Sequence, residues 1–255
     1  MLEDKIRGLK AKKGLLLMPH LVLGYPSYEE NRRTIETMVQ AGAEIIEMQI
    51  PFSEPMGDGP VILKANDEAL KRGATTAKCL DFAREVCAAY SDVIFLFMTY
   101  YNVLFARGVH SFVNDARVAG VQGLIVPDLP PEEGADYMAA CEKEGIASIF
   151  LFTPTSKPER LKLIASFSRG MVYCVGRKGV TGIKTTMDKS LSELIKRFRE
   201  ATTLPLALGF GIQEKEDIDA VKNEVDIAII GTKLITIQQE KGIEAVGDFL
   251  KGLRS

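Results

Sequence analysis

Two hydrophobic patterns alternate along the whole chain. Short continuous apolar runs, such as Gly123-Leu124-Ile125-Val126 and Asp226-Ile227-Ala228-Ile229-Ile230, are each followed by a longer segment whose apolar residues recur at helical spacing. Continuous runs of that length suit strands covered on both faces, and the amphipathic segments between them suit the covering helices. Strands are expected at residues 15–24, 43–49, 93–98, 123–127, 147–152, 171–175, 205–208 and 226–230. Helices are expected at 31–41, 60–71, 76–90, 108–119, 131–144, 157–166, 189–201, 215–223 and 232–253, with an extra helix at 1–12. No linker or low-complexity stretch interrupts the alternation. Eight strand–helix units in 255 residues predict one domain, 1–255, folded as a (β/α)8 TIM barrel with a leading helix. The rival α/β arrangement, a doubly wound open sheet, usually carries a glycine-rich phosphate loop after its first strand. Here Gly24-Tyr25-Pro26-Ser27 occupies that place, which is a different signal.

Composition narrows the function classes. The hydrophobic fraction of 46% and charged fraction of 26% are those of an ordinary globular protein, and a net charge of -2 offers no electrostatic footprint for nucleic acid. No apolar run reaches membrane-spanning length, and Met1-Leu2-Glu3-Asp4-Lys5 lacks the pattern of a secretory signal. Cys79, Cys87, Cys141 and Cys174 have no CxxC spacing, and only two histidines are present, so a zinc site is not expected. These features fit a reducing cytoplasm.

The chemistry is expected at the C-terminal ends of the strands, where barrels of this type place their sites. Glu47 lies near the end of an expected strand, where a carboxylate is costly to bury without a partner or a task. Asp58 follows in the Pro- and Gly-rich loop 51–60, which can fold back over the same strand end. Two acids at one mouth are suited to proton transfer. Each also has a plainer reading, Glu47 as a satisfied buried carboxylate and Asp58 as a turn residue before Gly59. Asp128, before Leu129-Pro130-Pro131, is expected to cap the helix that follows. By strand alternation Tyr173 faces either the barrel interior or the helices. His20 shares a face with Met18 and Val22, an apolar setting in which a single histidine is more often core than catalyst.

Glycines gather at the last strand ends: Gly179 and Gly182, Gly209 and Gly211, and Gly231 before Thr232. Each alone reads as a turn. Together they suggest a phosphate cradle, because a dianion is well held by backbone N–H groups at a helix start and glycine lets the backbone approach closely.

These motifs, in this order and spacing, resemble the tryptophan synthase α subunit over nearly the full length. The likeness is carried by Pro51-Phe52-Ser53-Glu54-Pro55 with Asp58-Gly59-Pro60, by Met98-Thr99-Tyr100-Tyr101-Asn102, and by Gly123-Leu124-Ile125-Val126-Pro127-Asp128. Arg177 with Gly179-Val180-Thr181-Gly182, and Gly209-Phe210-Gly211-Ile212, complete it. The resemblance implies cleavage of indole-3-glycerol phosphate to indole and glyceraldehyde 3-phosphate, with indole passed to a β subunit. It implies Glu47 as general acid/base and Asp58 as the partner of the indole N–H. Tyr100, Tyr173, Thr181, Gly182, Gly211, Gly231 and Thr232 are implied as substrate contacts, and neither metal nor Schiff-base lysine is required. The chain departs from the family pattern at several points. Met48-Gln49 stands for a usual Leu-Gly, Glu54 for Asp, Gly57 for Ala, Gly176-Arg177-Lys178 for Ser-Arg-Ser/Thr, and Thr232 for Ser, while His20 stands where an aromatic is common. Two alternatives follow from fold alone: a barrel that chiefly binds and activates a β subunit, or a different phosphosugar lyase or isomerase.

Overall fold

The structure, a computed structural model, describes residues 1–176 and 189–254. Its strands are β1 (Leu16–Val22), β2 (Ile45–Gln49), β3 (Ile94–Met98), β4 (Gly123–Ile125), β5 (Ala147–Ile149), β6 (Leu151–Phe152), β7 (Val172–Val175), β8 (Leu206–Gly209) and β9 (Ile227–Ile230). The helices in the first half are α1 (Leu2–Lys13), α2 (Tyr28–Gln40), α3 (Pro60–Lys71), α4 (Thr76–Ala89), α5 (Tyr101–Arg107) and α6 (Val109–Val118). In the second half they are α7 (Ala135–Glu144), α8 (Pro158–Phe167), α9 (Lys189–Ala201), α10 (Lys215–Val221), α11 (Thr232–Lys241) and α12 (Ile243–Gly252).

All strand pairs are parallel, in the order β5-β4-β3-β2-β1-β9-β8-β7-β6. The two ends of that order, β5 and β6, are separated in the chain only by Phe150. They are halves of the fifth expected strand, so the sheet returns on itself as the predicted barrel.

Strand alternation sorts the side chains into two layers. Leu16, Met18, Ile45, Ile94, Leu96, Met98, Ala207, Ile227 and Ile229 pack together inside the barrel. Their chain neighbours Leu17, Leu21, Ile46, Met48, Phe95 and Phe97 pack outward with the helices. By the same parity Glu47 and Gln49 follow Ile45 to the interior, and His20 follows Leu16 and Met18. All three are buried.

The N-terminal ends of the strands are closed by α1, whose Leu2 and Ile6 join the interior cluster. There Glu44 is a satisfied buried carboxylate: it accepts from Arg254 at 2.5 Å and from the Leu17 amide at 3.0 Å, and Lys13 lies 3.3 Å away. Asp226 is treated likewise by Lys10, by Arg199 at 2.5 Å and by the Leu206 amide at 2.7 Å. Charge is matched by charge at this end, which gives it the character of a structural seal.

Two expected helices are divided and one helix is added. The helix expected at 108–119 is found as α6, and α5 precedes it at residues where none was expected. The last expected helix, 232–253, breaks at Gly242, whose φ of 86° is a conformation that glycine reaches without strain. The segment 131–144 begins as a short 3-10 turn, Pro131–Glu133, and continues as α7 after Gly134.

Candidate active site

The parallel register sets Glu47 of β2 directly beside His20 of β1. His20 Nδ1 lies 3.1 Å from Glu47 Oε1. Among the described residues, the other carboxylate oxygen, Oε2, is buried without a hydrogen-bond partner, as is His20 Nε2. Glu44 and Glu47 thus divide in role within four residues. Glu44 is neutralised by cations at the barrel floor, whereas among the described residues Glu47 pairs with an imidazole and keeps one oxygen uncommitted. A buried polar atom without a partner is costly, and its persistence at a cleft marks a place where a ligand can supply one.

Asp58 reaches this strand end from the loop after β2. Asn66 of α3 anchors the loop, accepting from the Phe52 amide at 3.0 Å and donating to the Ile62 carbonyl at 2.9 Å. Asp58 is buried, and its Oδ2 accepts from Gln49 Nε2 at 2.7 Å and from the Tyr100 hydroxyl at 3.3 Å. The Tyr100 hydroxyl in turn accepts from the Gly57 amide at 3.1 Å, and its ring stacks on Phe52 at 5.3 Å. Tyr100 therefore braces the loop and Asp58 together.

The electrostatics of the three groups are coupled. Burial pushes the Asp58 carboxyl above its ordinary range, and the Gln49 amide and His20 counter this only in part. For His20, burial works to lower the pKa, yet the facing Glu47 carboxylate, helped by Asp58 and Gln49, raises it above 6.5 overall. Tyr173 faces the interior with its hydroxyl beside Gly209, and burial raises its pKa, with Glu47 and Asp58 adding to the rise. The sequence left the direction of Tyr173 open; it points inward.

The glycine cluster is placed by β8 and β9. Their register pairs Leu208 with Ala228, and Gly211 and Gly231 follow the ends of these two neighbouring strands. Gly211 has φ of 87°. Gly231 caps the start of α11, and the Thr232 hydroxyl is buried without a partner. First-turn amides, a hydroxyl and glycines at neighbouring strand ends are the groups with which an anion cradle is built. Thr181 and Gly182, with Arg177, Gly179 and Val180, lie outside the described residues.

Two sequence expectations change. Asp128 does not cap the helix that follows it. It accepts from the Tyr101 amide at 2.9 Å and so caps α5, the helix of the preceding unit. His20 is more than an apolar core residue, because it holds one of the two candidate catalytic acids. No signal along the chain marks that contact, since it depends on the register of β1 against β2.

The chain compares with known proteins as follows. Residues 6–249 match the family described as tryptophan synthase alpha chain. The tryptophan synthase alpha chain of Desulfotalea psychrophila is 51% identical over 253 residues, covering 99% of each chain. That of Syntrophotalea carbinolica is 48% identical over 254 residues, covering all of both. Among solved structures, Mycobacterium tuberculosis tryptophan synthase superposes with a TM-score of 0.92 at 31% identity, covering 99% of this chain and 96% of that one. The tryptophan synthase complex of Pyrococcus furiosus gives 0.86 at 29%, covering 94% and 98%. A match that spans almost the whole chain, on a barrel of the same architecture, makes this protein a member of the tryptophan synthase alpha chain family.

Proposed function

We propose that this chain cleaves indole-3-glycerol phosphate to indole and glyceraldehyde 3-phosphate within one barrel domain, with Glu47 as the group that moves the proton. The observation that carries the assignment is Glu47 Oε2, a buried carboxylate oxygen without a partner at the mouth of the barrel. Retro-aldol cleavage needs a proton delivered to indole C3 and one removed from the hydroxyl on the adjacent carbon. The electrons of that O–H bond form the aldehyde, and those of the breaking C–C bond return to the indole ring. One carboxyl group that gives a proton and takes one back serves both needs.

Asp58 takes the indole N–H and stabilises the positive charge that develops on the ring when C3 is protonated. Since both described bonds to Asp58 use Oδ2, the N–H falls to Oδ1. Gly211, Gly231 and Thr232 hold the phosphate at the β8–β9 side of the mouth, at the start of α11. Tyr173 lines the space between, and Tyr100 supports Asp58. The released indole passes to a β subunit. Support for docking close to the site comes from the tip of loop 51–59, where Glu54 and the largely bare side chain of Met56 face outward.

Among the described residues no helix is long and apolar enough to cross a membrane, and a cytoplasmic setting fits the chain. The direct test is identification of both products from indole-3-glycerol phosphate. Stoichiometric indole and glyceraldehyde 3-phosphate support the reading. Binding of the substrate without turnover, or turnover to other products, contradicts it.

A further inference from the structure

The family's reaction requires an acid/base and a phosphate site, and the structure puts a residue between them that the reaction scheme leaves unused. Around the barrel mouth the order is Glu47 and Gln49 on β2, His20 on β1, Gly231 after β9, and Gly211 after β8. Adjacent strands lie about 5 Å apart, so His20 stands one strand from the carboxylate and one strand from the cradle. Its ring meets both sides. Nδ1 lies 3.1 Å from Glu47 Oε1, and a Cβ placed on Gly231 would sit 3.8 Å from the imidazole. That side chain is buried, and among the described residues Nε2 has no hydrogen-bond partner.

We propose that His20 is a positioning residue for the cleavage, fixing Glu47 through Oε1 so that Oε2 faces the substrate. This inference rests on the reading that the chain cleaves indole-3-glycerol phosphate through Glu47.

The physical case has three parts. A glutamate side chain has three rotatable bonds, and one firm contact at Oε1 removes most of the freedom with which Oε2 could miss its target; misplacement by about 1 Å can cost a hundredfold in rate. Among the described residues no lysine or arginine is paired with Glu47; Lys13 and Arg254 serve Glu44, and Lys10 and Arg199 serve Asp226, at the far end. The groups that face the imidazole are also settled: Glu47 and Gln49 from β2, Asp58 from the following loop, and the uncharged backbone of Gly231 from the β9 side. Two carboxylates and no described cation face this ring, so its charged form is favoured against the effect of burial.

The test separates position from charge. His20→Phe keeps the bulk and removes the donor, while His20→Gln keeps a donor and removes the titration. Indole release is followed from roughly pH 5.5 to 9.5, and wild-type kcat/KM is expected to fall as pH rises through the His20 titration. His20→Phe is expected to lose about tenfold in kcat with KM little changed, and His20→Gln to recover most of that rate. Both variants are expected to lack the alkaline inflection. Wild-type kcat and an unshifted pH profile in both would overturn the proposal.

A second measurement does not require active variants. The chain has only two histidines, so His110→Asn leaves His20 as the single imidazole signal in a magnetic resonance titration. Its midpoint is expected above 6.5, and below 6.5 once Glu47→Gln removes the facing charge. A midpoint that ignores Glu47→Gln would overturn the pairing. If the wild-type chain releases no indole at all, the cleavage reading fails; if it does and His20 is silent in both measurements, only this inference fails.

Discussion

Gln49 Nε2 donates to Asp58 Oδ2 across 2.7 Å, and Gln49 stands two residues after Glu47 on the same strand face. The second acid of the site is therefore held by the strand that carries the first. Among the described residues, removing that donor leaves the Tyr100 hydroxyl as the hydrogen-bond donor to the Asp58 carboxylate. Gln49→Leu, which keeps the volume, should lower kcat/KM by about tenfold or more, because hydrogen bonds to charged groups contribute about 1.5–3 kcal/mol. The Gln49 bond holds the Asp58 pKa down, so the acidic limb of the rate profile should move to higher pH in this variant. A steady-state profile with an unmoved acidic limb would show that Gln49 has no such influence.

Asp58 should cost the protein stability while serving its reaction. Its pKa in the folded chain lies above 3.8, so the folded state binds the proton more tightly than the unfolded one. Stability then declines as pH rises from 3.8 through the raised value, and the cost persists at neutral pH. Asp58→Asn removes that cost and retains an acceptor for Gln49. The variant should melt at a higher temperature than wild type near neutral pH, lose this advantage below pH 3.8, and cleave substrate much more slowly. Calorimetry at the two pH values checks it, and equal melting temperatures near neutral pH would contradict it.

His20 gives the opposite dependence. Its folded pKa is raised above 6.5, so the stabilisation it contributes is fully present below 6.5 and is lost as pH rises through the folded value. The melting temperature of wild type minus that of His20→Gln should be largest in acid and shrink in alkali. A difference that grows with pH would reverse the sign and remove the Glu47 pairing as its cause.

The cradle makes a binding prediction. Thr232 Oγ1 is buried without a partner at the start of α11. Thr232→Val preserves shape and deletes the hydroxyl, so KM should rise about tenfold with kcat within about threefold, the pattern of lost uniform binding. Thr232→Ser should behave like wild type. A loss confined to kcat would place the hydroxyl elsewhere in the reaction.

Much of this arrangement was legible in the chain itself. Apolar runs located the strands, and α3 (Pro60–Lys71) and α9 (Lys189–Ala201) occupy the expected residues, the first opened by Pro60 at its N-terminus. Gly242 broke a helix whose apolar spacing continues across it, because spacing reports a face and not a backbone angle. The carboxylates could be named from motif and strand position. Their partners could not. His20 meets Glu47 only through the β1–β2 register, and Gln49 meets Asp58 only because the loop folds back. Asp128 misled for the same reason, since the amide its carboxylate meets belongs to the preceding unit rather than the following one.

The most direct test of the account is indole release from indole-3-glycerol phosphate by wild type and Glu47→Gln, each with and without the β subunit. The account predicts release by wild type that rises when β is added, and a loss of about a hundredfold or more in Glu47→Gln while that variant still binds indole-propanol phosphate. Turnover by Glu47→Gln at the wild-type rate would contradict it.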